Sequence, residues 1–245
     1  MLKPFLLALS LLTRLPVKQI DNLQDSDHGK SALFYPLIGL IIGLLLFLPV
    51  IFFNEFSQIT IAAVITVLGA MITGGLHLDG LADSADGWLG GMGDREKTLR
   101  IMKDPAVGSA GVIAIVSVLI LKFAVLTNIT QSSFHAILTT SAIVIFIPII
   151  SRAMILLLIL TTEYASKKGM AATVVLHLPL KNAVIITLVC ILLGLYISFW
   201  GMLFALVGVW LLRRLMIKHL GGCTGDTIGA TVEITEVLFL IGTVF

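Results

Sequence analysis

ITIAAVITVLGAMITGGLHL, residues 59–78, carries no formal charge, and DGLADSADG, residues 79–87, follows it without a break. A helix of that apolar length reaches about 30 Å, the thickness of a bilayer's hydrocarbon core. The chain is therefore read as crossing a membrane and emerging into three carboxylates. Asp79, Asp83 and Asp86 are spaced i, i+4, i+7 and share one helical face. Like charges so placed repel, and a cation between them or strong solvation relieves the repulsion. A hard, oxygen-liganded ion such as Mg²⁺ suits the gap. The expectation is a metal site formed by Asp79, Asp83 and Asp86 at a membrane surface.

Composition widens this to the whole chain. It is 58% hydrophobic and 12% charged, with mean hydropathy +1.09, whereas soluble domains are about 25% charged. Apolar runs occur at 33–53, 59–78, 109–127, 136–160, 183–199, 201–217 and 228–245. They predict an all-α fold, a polytopic membrane bundle of about seven transmembrane helices. The fifth and sixth runs are separated only by Trp200-Gly201, and the seventh is interrupted by Glu233 and Glu236. Residues 1–17 are too short to span and are read as a helix in the interface or packed beside the bundle. Arg14 and Pro16, with no small-residue cleavage site, argue against a signal peptide. With no repeat or linker visible, residues 1–245 are expected to form a single integral membrane catalytic domain.

Basic residues set the orientation. Lys3, Arg14, Lys18 and Lys30 precede the first run, and Arg95, Lys97, Arg100 and Lys103 lie between the second and third. Lys167, Lys168 and Lys181 separate the fourth from the fifth, and Arg213, Arg214 and Lys218 end the sixth. The alternate connections, 54–58, 128–135 and 200–201, hold no Lys or Arg. This puts the N-terminus, the acidic run and the glycine-rich loop near Gly222 on the cytoplasmic side. The net charge of +2 says little about partners, and no nucleic acid is expected. Cys190 and Cys223 show neither disulfide nor metal spacing.

Three polar clusters share that side: the acidic run, REKTLRIMKDP at 95–105, and GGCTGD at 221–226. Their joint logic is phosphoryl transfer. Carboxylates hold Mg²⁺ against phosphate oxygens, Arg and Lys clamp the anion, and glycines let backbone N–H groups approach it. His77 is read as a ligand, a proton donor or a residue orienting an aspartate. Trp88 either stacks on a base or corrin or sits in the interfacial belt. Inside the runs, Arg152, Glu233 and Glu236 suggest function by default, with pairing of Arg152 to a glutamate as the plain structural reading. Lys122, near a run's end, is expected to snorkel.

GGLHLDGLADSADG (74–87), MKDPAVGSAG (102–111) and GGCTGDTIGATVEITE (221–236) resemble the motifs of the cobalamin synthase family, the adenosylcobinamide-GDP ribazoletransferases. LTRLPV (12–17) and FYPLIGLIIG (34–43) are similar to its N-terminal part. The resemblance implies a Mg²⁺-dependent transferase of the bacterial inner (cytoplasmic) membrane, with its active site facing the cytoplasm. It would act late in cobamide nucleotide-loop assembly. α-Ribazole, or its 5′-phosphate, would react with adenosylcobinamide-GDP to give adenosylcobalamin, or its phosphate, and GMP.

Combined with the residue pattern, the expectation is attack by the ribazole 5′-hydroxyl on the phosphorus bonded to cobinamide. Lys103 and Arg100 would clamp the diphosphate or the nascent GMP. Asp104 or Asp226 would take the proton, and Gly222, Thr224 and Gly225 would form part of the phosphate or ribose pocket. Candidate partners are the bilayer, a second copy of the chain and other cobamide-assembly enzymes. The acidic spacing is loosely similar to that of CDP-alcohol phosphotransferases, without their Ala-Arg signature. A cation-coupled transporter is the competing class. Its polar residues would cluster at the midplane within repeated halves. A scaffold for other assembly enzymes would not need three aligned acids.

Overall fold

A computed structural model describes residues 2–52, 55–129, 134–165 and 170–245. Asn54, Lys167, Lys168 and residues 130–133 of the expected connections lie outside the described residues.

Among the described residues, each of the seven apolar runs is largely helical. Helix α1 (Leu2–Leu12) packs beside the bundle through Leu7, Ala8 and Leu12. Helix α2 (Asp25–Ser31) passes through a single 3₁₀ turn into α3 (Tyr35–Phe52). The order continues with α4 (Gln58–Thr73), α5 (Leu76–Gly91), α6 (Arg95–Ile101), α7 (Ser109–Ile129) and α8 (Phe134–Thr161). It ends with α9 (Met170–Leu176), α10 (Leu180–Ile197), α11 (Phe199–Leu220) and α12 (Gly225–Gly242). Five stretches are long and apolar enough to cross a membrane: Asp25–Phe52, Ser109–Ile129, Ala142–Thr161, Leu180–Ile197 and Phe199–Leu220. Helices α4 and α5 make a sixth only as a broken span, bent by 87°. Helix α12, with its three acidic residues, lies inside the bundle instead, most of its length buried.

The break corrects the continuous 59–78 run. Gly74 and Gly75 have φ of +62° and +72°, a left-handed conformation open to glycine and strained for other residues. Hydropathy continues across the pair, but the helix does not. The Arg14 backbone N–H donates to the Ile72 carbonyl at 2.7 Å. The Arg14 side chain also fills the space a Cβ on Gly74 would enter, its Nε being 2.1 Å from that position.

Helices α3 and α8 pack nearly backbone to backbone. A Cβ on Gly39 would lie 2.3 Å from the Pro148 carbonyl oxygen, and one on Gly43 2.3 Å from that of Ile145. Small residues four apart allow such an approach where lipid supplies no hydrophobic drive. Around this seam Ile38, Ile42, Ile150 and Met154 form the core with Met202 and Phe239.

The break between α10 and α11 falls at Ser198, not at Trp200-Gly201. Ser198 is extended, and its Oγ accepts the Gly201 N–H at 2.9 Å as the cap of α11. The end of α12 packs there, since a Cβ on Gly242 would meet Gly201 at 2.5 Å. At the opposite end of α12, the starts of α3 and α12, the α6–α7 connection and the segment after α8 converge.

Candidate active site

That convergence encloses a cavity of about 870 Å³. Helix α5 lends it His77, Asp79 and Gly80, the connection after α6 lends Met102 and Lys103, and the start of α12 lends Thr224, Gly225 and Asp226. Leu12, Ile155, Ile159 and Val174 supply an apolar wall, and Tyr35 and Tyr164 border it. A second, more open cleft of about 660 Å³ is lined by Glu96, Arg100, Asp104 and Pro105 and shares Leu99 and Lys103 with the first. Of the twelve site residues expected from sequence, six thus border one cavity: His77, Asp79, Lys103, Thr224, Gly225 and Asp226. Arg100 and Asp104 border the adjoining cleft.

The carboxylates are assembled by close helix contact. A Cβ on Gly80 would stand 2.5 Å from the Asp226 carbonyl oxygen, so α5 and α12 touch there without side chains between them. Asp226 is thereby set beside the face of α5. The charges of Asp79, Asp226 and Asp86 all act on Asp83. Thr224 caps α12, accepting the Thr227 N–H at 3.3 Å, and places Asp226 in a first turn whose dipole favours negative charge.

Asp86 has a different job. Its Oδ2 accepts the Gly108 N–H at 2.7 Å and its Oδ1 the Gly111 N–H at 2.9 Å. It caps the start of α7 from a neighbouring helix, satisfying N–H groups that have no intrahelical partner. Both glycines make room for it, because a Cβ on either would fall within 2.5 Å of a carboxylate oxygen.

Asp79, Asp83 and Asp226 offer only hard oxygen donors, and among the described residues none of them pairs with Lys or Arg. Nor, among the described residues, do three His, Cys, Asp or Glu side chains close into a ready cage for an ion. That donor set fits Mg²⁺ in its usual mode, held by one or two carboxylates and completed by water and substrate phosphates.

Other expected residues sit elsewhere. Trp88 stacks with His219 (ring centroids 6.1 Å apart) and packs against a cluster that includes Leu158, Leu212 and Met216. Gly222 is packed against the segment after α8, where a Cβ would meet the Glu163 carbonyl at 2.4 Å. The two strands of chain there are tied by Cys223 N–H to Glu163 O (2.9 Å) and Ala165 N–H to Cys223 O (2.8 Å). Cys223 is wholly buried, and burial pushes its thiol up to about 11, far from an activated nucleophile. Tyr35 and Tyr164 are not among the residues that the sequence marks for the site. Tyr35 stands inside the FYPLIGLIIG motif, and Tyr164 in a connection with no motif of its own.

Deeper in the bundle lies a second polar cluster. Lys122 does not snorkel. Its Nζ turns inward to Glu233 and Glu236, 2.6 Å from each. Arg152 pairs with Glu236, and the Ser151 hydroxyl donates to the same Glu236 oxygen at 3.0 Å. Arg152 Nη2 also faces His77 Nδ1 at 3.5 Å.

Fold and site together define a polytopic helical membrane protein with an acidic cavity at one end of its bundle. The family model for cobalamin-5-phosphate synthase matches residues 4–244. An adenosylcobinamide-GDP ribazoletransferase of Acinetobacter baumannii (strain ACICU) is 42% identical over 240 residues, 97% of this chain and 95% of the relative. Proteins of the same name from Pseudomonas putida (strain F1) and Pseudomonas entomophila are each 43% identical, over 98% of this chain and 97% of theirs. No solved structure matches the chain. The chain belongs to the cobalamin-5-phosphate synthase family, whose named relatives are transferases.

Proposed function

We propose that this protein joins α-ribazole, or its 5′-phosphate, to adenosylcobinamide-GDP and releases GMP at the cytoplasmic face of a bacterial inner membrane. The observation that carries this reading is the meeting of three acidic or basic side chains, Asp79, Lys103 and Asp226, in one cavity. They come from distant parts of a chain whose relatives bear the transferase name along nearly their whole length.

The attacking atom is not the 5′-hydroxyl. A 5′-phosphate has no free 5′-hydroxyl, so an attack common to both substrates comes from another ribose hydroxyl. Its oxygen bonds to the phosphorus carried by cobinamide, the bond from that phosphorus to the bridging oxygen breaks, and GMP departs with that oxygen. The hydroxyl proton passes to a carboxylate. Asp226 is favoured over Asp104, which borders the outer cleft and whose Oδ1 accepts the Ala106 N–H at 3.0 Å. Lys103, shared by cavity and cleft, clamps the diphosphate, and Arg100 extends that positive edge outward. Asp79 and Asp83 would hold Mg²⁺, which when bound would offset phosphate charge and stabilise entering and leaving oxygens, and Asp226 stays free to take the proton. The apolar wall excludes water that would otherwise compete for the phosphorus.

The test is GMP release by the purified protein in liposomes supplied with adenosylcobinamide-GDP, α-ribazole and Mg²⁺. Stoichiometric GMP and adenosylcobalamin support the reading. Uptake of either compound without GMP would make the protein a transporter, and neither event would leave it a scaffold.

A further inference from the structure

The cluster around Glu236 is hard to account for by stability. Glu236 lies about 16 Å along α12 from its start, deep in the bundle, where charges are expensive. Well-packed apolar residues in place of a buried ion pair are often neutral or stabilising. One end of the cluster, however, reaches the cavity. His77 borders the cavity and is 2% exposed. Its Nδ1 is turned to Arg152, and its Nε2 is buried without a partner.

A guanidinium has only donors. Nδ1 must therefore meet it with a lone pair, and in the neutral ring the proton then resides on Nε2. Arg152 is itself held by Glu236, which Lys122 steadies from the far side. We propose that Arg152, Glu236 and Lys122 are positioning residues that keep His77 as a fixed Nε2–H donor for a diphosphate oxygen in the cavity. The donor role, unlike the tautomer, rests on the transfer reaction proposed above. A buried N–H without a partner is unfavourable, and a phosphate oxygen in the adjoining cavity would satisfy it. With its proton on Nε2, and Nδ1 committed to Arg152, the ring is a donor and not a metal ligand.

The experiment uses full-length protein in nanodiscs, labelled with nitrogen-15 at its five histidines, with the His77 signals assigned by their loss in His77→Gln. Ring nitrogen shifts report the tautomer directly, without turnover. The wild type is expected to show a single Nε2–H form. The double variant Arg152→Met/Glu236→Gln, which leaves Lys122 and Glu233 as a balanced pair, should populate the Nδ1–H form. In the GMP-release assay His77→Leu should lose roughly tenfold or more in kcat/KM, the scale of a hydrogen bond to a charged group. His77→Gln, which keeps an N–H donor, should recover most of that loss. In the His77→Gln background the double variant should add little, a coupling that a merely structural role would not produce. An Nδ1–H form in the wild type, or shifts unchanged in the double variant, would overturn the proposal. Absence of GMP release from a wild type that shows the Nε2–H form would defeat the transfer reaction and leave the tautomer standing.

Discussion

Two groups of carboxylates share helix α12 and are treated in opposite ways. Glu233 and Glu236, inside the bundle, are matched charge for charge by Lys122 and Arg152. Asp226, at the start of the same helix, faces Asp79 and Asp83 with no cationic side chain paired to any of them among the described residues. The deep pair of acids is internally neutral and asks nothing of the surroundings. The outer group is an excess of negative charge beside a cavity, which under the function proposed above a divalent ion and the Lys103 edge would offset. Depth explains the contrast. Charges largely withdrawn from water are paired within the protein, whereas those at an open cavity are free to be completed by ligands.

The sharpest way to break the comparison is to neutralise one outer acid. Asp83→Asn is expected to lower GMP release by about 100-fold or more, as loss of a group that offsets transition-state charge does, with the unfolding midpoint nearly unchanged. Wild-type turnover would remove Asp83 from the site. Chelation comes next: EDTA should stop GMP release and added Mg²⁺ restore it, while persistent turnover in EDTA would exclude the metal role.

The deep group should respond in stability. Lys122→Met leaves Glu233 and Glu236 with one cation between them and should destabilise by about 3–5 kcal/mol, measured by denaturant unfolding in mixed micelles. Adding Glu233→Gln should return much of that loss. If Lys122→Met is neutral, the pairing is not what stabilises the cluster. A smaller effect tests Asp86, the acid assigned to neither group. Gly108→Ala brings a Cβ to 2.4 Å from its Oδ1 and should destabilise by about 1–3 kcal/mol. Smallest of all, Arg213→Ala removes a hydrogen bond to the Thr161 carbonyl at the surface, and turnover should stay at the wild-type level.

Much of the helix plan could be read from hydropathy, because seven apolar runs become α3, α4, α7, α8, α10, α11 and α12. The 87° turn could not, since leucine and glycine are equally uncharged and only backbone dihedrals distinguish Gly74-Gly75 from a continuing helix. Charge bias correctly grouped Arg14, the acidic run and the 221–226 loop at one end of the molecule. Spacing brought Asp79, Asp83 and Asp86 onto one helix but could not tell that Asp86 turns to the start of α7, because that partner comes from another element. The same limit hid the packing role of Gly222, the inward turn of Lys122 and the presence of Tyr35 and Tyr164 at the cavity. Each depends on which helix lies next door, a property of the folded chain and not of local pattern.

Arg14 acts as a splint on the joint between α4 and α5, clasping the backbone at Ile72 and filling the notch left by Gly74. The first segment of the chain thus governs the aim of aspartates far downstream. Trimming it, or fusing a bulky tag against it, would loosen a hinge at the cavity end, and the defect would look like damage to the cavity though no residue lining it had been touched.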